Sequence, residues 1–223
     1  FHYQERSGGH LRKHLIKNII QHYETLVQFQ NQQEQYEAYL DWFKTLPLFF
    51  ETPQFRAVHA CWNQPEIDYL TSKLEDGCLN DYLIYQSVEE GTAINQAVEI
   101  TLKGKEIAMP DGMFFLDKDG TKRTDIRIKW WENPHQSTYK SLSVEPIADL
   151  PDRKVADLSF GPHDYYQPDL KPVFFGHYWL KHHPVLYRDN ICCLDYSVAR
   201  AGKLVAYRFD GEEKLDNGKL VFV

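Results

Sequence analysis

The sequence predicts an α/β fold with its helices early and its strands late. Three observations carry this reading. Apolar residues recur at helical spacing through most of the first hundred residues. Short apolar runs separated by turn residues take over toward the end. The 223-residue chain is 43% hydrophobic and 14% aromatic, enough to bury a sizeable core and too much for a disordered segment.

The elements follow in order. Leu15, Ile16, Ile19, Ile20, Tyr23 and Val27 share one side of an amphipathic helix predicted over residues 10–29. Tyr36, Tyr39, Leu40, Phe43 and Leu46 mark a second helix, which Pro47 ends. A turn over residues 51–53 leads into a short apolar strand from Gln54 to Ala60. Residues 64–103 read as a helical insertion, broken near Gly77 and Gly91. The Asp119–Gly120 step then separates two strand-like runs, a hairpin signal. Residues 132–171, rich in Pro, Asp, Ser and Tyr, read as a long irregular excursion, and such length without regular structure is often functional. PVFFGH, NICCLDYS, KLVAYRFDG and KLVFV supply four candidate strands at the end.

Lys and Arg number 25 against 32 Asp and Glu, so the net charge of -7 argues against general nucleic-acid binding while leaving room for a local basic pocket. No apolar run is long enough for a transmembrane helix and no secretory h-region is present, which points to the cytoplasm. The four cysteines, Cys61, Cys78, Cys192 and Cys193, form no CxxC pair. Cys192 and Cys193 would face opposite sides of a strand, so reduced, mostly buried thiols are expected. The sequence has no GxGxxG after a strand, no GxxxxGK[ST], no HExxH, no nucleophile-elbow pattern and no EF-hand spacing.

Two histidines stand at strand ends. His59 closes the run RAVH, and His177 follows Gly176 where the strand VFF opens into a loop. Taken alone, His59 reads first as a packing residue bonded to backbone, while His177 fits that reading and a ligand's role equally. Two converging across a sheet would suit a transition-metal ion, because neutral imidazole binds zinc, iron and manganese. Asp195, just beyond ICCL, could orient such a histidine or simply cap a turn. Arg56, Arg127, Lys129, Arg200 and Lys203 are candidates to face a phosphate. Arg127 and Lys129 are the better pair, because they share one face of their strand.

FRAVHACW, KGKEI, DIRIKWW, PVFFGHYWL and CLDYSVARAGKLVAYRFDGE, in that order, resemble the C-terminal two-thirds of calcineurin-like metallophosphoesterases. The nearest subgroup is the bacterial one related to serine/threonine protein phosphatases and symmetrical diadenosine-tetraphosphate hydrolases. The resemblance implies a β-sandwich flanked by helices that holds two divalent metals, manganese first, iron or zinc otherwise. It implies that His59 and His177 match two late histidine ligands of the same ion. It also implies a phosphorylated small molecule, a dinucleoside polyphosphate or a phosphoprotein as substrate, hydrolysed by metal-activated water. Trp179 stands where many relatives carry a further histidine, one that the phosphatase-like branch also lacks.

Asp-x-His, Gly-Asp-x-x-Asp and Gly-Asn-His-Glu are absent, so residues 1–223 resemble a single C-terminal portion of the catalytic domain. The implied fold is an incomplete sandwich lacking its N-terminal strands. Such a fragment is expected to be inactive or weakly active, and to self-associate through exposed sheet edges. Two rival readings remain at this point. One is a binding or regulatory module on the same fold, and the other is a mononuclear site completed by Asp195.

Overall fold

The structure, a computed structural model, describes residues 8–116, 120–155, 160–161 and 164–223. It is mixed α/β, with six α-helices and four small sheets among the described residues. The chain forms two compact units, one from the segment up to Leu48 with Leu70–Gln96, the other from Phe49–Tyr69 with Ala97–Val223.

Helices α1 (Ile16–Gln28) and α2 (Gln33–Lys44) lie in the first unit. The first begins later than its periodicity suggests. Leu15 offers no side chain to cap it, and the Asn18 amide holds the Lys13 carbonyl 2.7 Å away at its entry. The Phe29 ring meets Tyr36 and Tyr39 at 5.1 and 5.7 Å, joining the two helices. Yet no residue of α1 is buried, and Ile16, Ile20 and Tyr23 stay open to solvent. The helical period is present, but this face carries its apolar residues outward.

The second unit holds the sheets. Strand β1 (Phe49–Glu51) pairs antiparallel with β2 (Arg56–Val58). After β2 come α3 (Gln64–Thr71), α4 (Asp81–Ser87), which belongs to the first unit, and α5 (Ala93–Lys103), which begins in the first unit and ends in the second; these are the helices expected over residues 64–103. Helix α4 starts on an Asn80 cap, whose side chain accepts the Leu83 N–H at 2.9 Å. Strand β3 (Glu106–Ala108) follows, then β4 (Phe115–Leu116) and β5 (Lys122–Arg123), which pair as the sequence hairpin requires. Of its turn, Asp119 lies outside the described residues. Strand β6 (Asp125–Arg127) pairs with β3, with Ile107 opposite Ile126.

Among its described residues the stretch 132–171 contains one short helix, α6 (Tyr139–Leu142), held by a reciprocal cap between Thr138 and Ser141. The other described residues are irregular but well packed. Tyr139, Leu142, Leu150 and Val155 join Ile107, Ile126 and Ile128 in a small core, and Tyr166 joins the main one.

The remaining strands are β7 (Val173–Phe175), β8 (Ile191–Cys193), β9 (Asp195–Tyr196), β10 (Lys203–Tyr207) and β11 (Leu220–Phe222). The main sheet runs β1-β2-β7-β8, and β2, β7 and β8 are parallel. Every residue of β7 and β8 is buried, which is why these segments read as unbroken apolar runs. A three-stranded antiparallel sheet runs β11-β10-β9. NICCLDYS thus serves both sheets. Leu194 still donates to the Phe175 carbonyl at 2.8 Å, and the next residue already pairs with Leu204 of β10. One core takes side chains from both sheets, and the Phe174 ring meets Tyr207 at 5.4 Å and Phe209 at 5.9 Å.

Among the described residues no helix is long and apolar enough to cross a membrane. Cys61, Cys192 and Cys193 are buried free thiols, and burial pushes Cys61 up to about 12, which makes it a poor nucleophile.

A candidate functional site at three parallel strand ends

The chain leaves β2, β7 and β8 at their carboxyl ends with His59, Gly176–His177 and Leu194–Asp195. In parallel sheets this is the edge where ligands collect, because the connecting loops open there. The sheet order places the three ends side by side. His59 Nε2 lies 3.2 Å from His177 Nδ1, with ring centroids 5.0 Å apart. Sequence reading singled out both residues, and the fold brings them into contact.

Backbone bonds fix the pair. Gly176 N–H donates to the His59 carbonyl at 2.9 Å, and Ala60 N–H donates to Thr101 at 3.0 Å. Beyond the strand, His177 and Trp179 both take left-handed backbone, with φ of 74° and 50°. Ser197, with φ of 62°, does the same across from them. Such conformations are costly for residues other than glycine and persist where surrounding bonds enforce them. Asp195 supplies two of those bonds: Oδ2 accepts the Trp179 N–H at 3.2 Å, and Oδ1 accepts the Ser197 N–H at 3.0 Å. Its carboxylate acts electrostatically on both histidines, but its hydrogen bonds go to the backbone of Trp179 and Ser197. Nothing in the order CLDYS marks that bracing role.

The electrostatics keep both rings neutral. Burial pulls His177 down to about 4, with Arg127, His59 and Lys103 adding to the effect and Asp195 opposing it. Burial lowers His59 as well, against Asp195. A depressed folded pKa means that this contribution to stability is intact above about 6.5 and is lost as pH falls toward about 4. In the metal-free chain the His177 ring proton signal should therefore titrate near pH 4 by NMR, and a midpoint near 6.5 would show a solvated ring.

Arg127 reaches this site and Lys129 takes another contact. Alternating burial from 126 to 130 does put the two on one face. Lys129 Nζ, however, donates to the Ser141 carbonyl at 2.8 Å. Arg127 lies over the Tyr178 ring at 5.9 Å and pairs with Glu106 at 3.2 Å, while its buried Nε–H has no partner. Gly104, with φ of +96°, makes room for both: a Cβ there would stand 2.5 Å from the Tyr178 hydroxyl and 3.2 Å from Arg127 Cδ. That hydroxyl is buried without a bond in good geometry, since the nearby Trp130 indole N–H goes to the Ala60 carbonyl at 3.0 Å.

The other cations are elsewhere engaged. Arg56 pairs with Glu51 at 2.8 Å, and Lys203 lies over Phe222 at 4.6 Å. Arg200 lies over the Trp179 ring at 5.0 Å, beside the His177 loop. Sequence reading missed Lys103, Gly104 and Tyr178, whose link to the site exists only through the fold.

Two neutral imidazole nitrogens facing one another can share a proton or hold one edge of a metal ion. Among the described residues no group of three His, Cys, Asp or Glu side chains forms a ligand set. In comparisons with known proteins, no family model, curated protein or solved structure matches the chain.

Proposed function

We propose that this chain carries the two-histidine face of a metal-dependent phosphoesterase site, on an incomplete sandwich of the metallophosphatase type. One observation carries the reading. His59 and His177, 118 residues apart, meet at 3.2 Å from neighbouring parallel strand ends. The core shared by the two sheets supports the sandwich, and the neutral state of both rings leaves nitrogen lone pairs for an ion.

The donor set suits zinc, iron or manganese at one edge. It falls short of a two-ion centre, which needs carboxylates to offset its charge, and none joins the pair among the described residues. The reading therefore assigns this chain two ligands and an anion-facing cation. In this reading Arg127, whose positive charge acts on His177, faces a phosphoryl oxygen of a phosphorylated small molecule, dinucleoside polyphosphate or phosphoprotein. A non-catalytic binding module on the same fold is the second reading. The commitment of the Asp195 carboxylate to backbone favours it over a mononuclear enzyme that would need that acid as a ligand.

Manganese or zinc titrated into the chain should bind at one ion per chain. His59→Ala and His177→Ala should each weaken binding by about tenfold or more, and both should abolish any manganese-dependent hydrolysis of p-nitrophenyl phosphate. Equal metal affinity in the variants would sink the proposal. Histidine-dependent binding without turnover would favour the binding module.

A further inference from the structure

A second site stands apart from the histidines. A cavity of about 230 Å³ opens in the second unit, and its walls include Trp62, Trp130, Asp164, Tyr165 and Tyr166. Four aromatic side chains around one small space is a concentrated arrangement in a chain that is 14% aromatic. Their disposition narrows what could fit. Trp130 and Tyr166 stand at 87° with centroids 5.7 Å apart, so they form a corner rather than two parallel plates. Parallel plates clamp a flat base by stacking on both its faces. A corner instead surrounds a compact, rounded group.

Charge narrows it further. Aromatic faces are the negative side of the ring quadrupole and attract cations, most strongly when the cation is easily stripped of water. The rings already show this preference: the Arg56 guanidinium lies 4.8 Å from the Trp62 centroid and 5.7 Å from that of Tyr166. That arginine is neutralised by Glu51 and is not among the cavity walls. Asp164 adds a formal negative charge at the wall. Its partners are the Gly161 N–H and Lys105, the latter at a loose 3.8 Å. The net charge of -7 favours a cationic visitor over an anionic one.

We propose that the cavity lined by Trp62, Trp130, Tyr165, Tyr166 and Asp164 is an aromatic cage for a quaternary or methylated ammonium group. The methyl groups would fill the corner by apolar contact, the ring faces would take the diffuse positive charge, and Asp164 would supply the counter-charge. The site is independent of the histidine pair, and neither proposal depends on the other.

The test uses the full chain and choline as probe, followed by tryptophan fluorescence and calorimetry. Choline should saturate one site. Its neutral isostere 3,3-dimethyl-1-butanol, with a carbon in place of the nitrogen, should bind about tenfold or more weakly. Trp62 and Trp130 are buried, and replacing them risks the fold. The informative variants are therefore Asp164→Asn and Tyr165→Leu at half-buried positions, each expected to weaken choline about tenfold while leaving the melting transition in place. The proposal is overturned by an absence of saturable choline binding, by equal affinity for the isostere, or by unchanged choline affinity in both folded variants. Saturation by adenosine but not by choline would also overturn it, in favour of a stacking site.

Discussion

Trp131→Ala should cost the second unit about 3–5 kcal/mol, the largest loss expected of any single substitution at the main core. Trp131 is 0% exposed and meets four rings: Tyr187 at 4.6 Å, Phe175 at 5.1 Å, Trp130 at 5.4 Å and Tyr178 at 5.9 Å. Removing it opens a space walled by stiff aromatics, which cannot collapse inward as flexible side chains might. Trp131→Phe keeps most of the ring contact and removes an indole N–H that is buried without a partner, so it should cost only about 1–2 kcal/mol. Urea unfolding of the three proteins checks the order. A Trp131→Ala midpoint within error of the parent would show that the ring stack contributes little. Because Tyr178 directly follows His177, the same variant should also broaden the His177 NMR signals.

Gly202→Ala should be nearly as damaging, for a different reason. A Cβ at this position would run into the Tyr196 carbonyl oxygen and stand 2.6 Å from the carbonyl carbon and oxygen of Ser197. Those atoms are backbone, with no rotamer to change, so the turn between β9 and β10 must open. The Gly202 N–H bond to the Ser197 carbonyl at 3.0 Å would be lost with it. The expected cost is about 3 kcal/mol. The effect should reach the histidines, since Ser197 is one of the two backbone donors held by Asp195 and Trp179 is the other. The variant should therefore lose metal affinity as well as stability. A destabilised protein that binds metal normally would show that the Asp195 brace is dispensable for the pair.

Much of the secondary structure was legible because each signal was local. The unbroken apolar runs VFF and ICC became buried parallel strands, Pro47 stands just beyond α2, and the hairpin strands β4 and β5 pair as the Asp-Gly step suggests. The pairing of β2 with β7 and of β3 with β6 was not legible, since no local period says which distant strand lies alongside. The histidines could be found because a titratable ring after an apolar run is unusual. Their surroundings could not. Left-handed backbone at His177, Trp179 and Ser197 has no signature in residues that normally avoid it, and the Asp195 brace exists only once β8 has handed the chain to β9. The outward apolar face of α1 is the opposite case, where a clear period predicted a buried stripe and the structure leaves it exposed.

The parallel pairing of β2 with β7 has a consequence in time. His59 precedes His177 by 118 residues, so at a synthesis rate of about 5–20 residues per second it waits roughly 6–24 s before its partner has been made. Through that interval β2 has β1 on one side and an unpaired edge on the other. A ribosome that stalls between the two histidines would release a chain with helices and a hairpin but no site. The histidine pair is therefore a late event in the life of the nascent chain, and its appearance would report that the main sheet has closed.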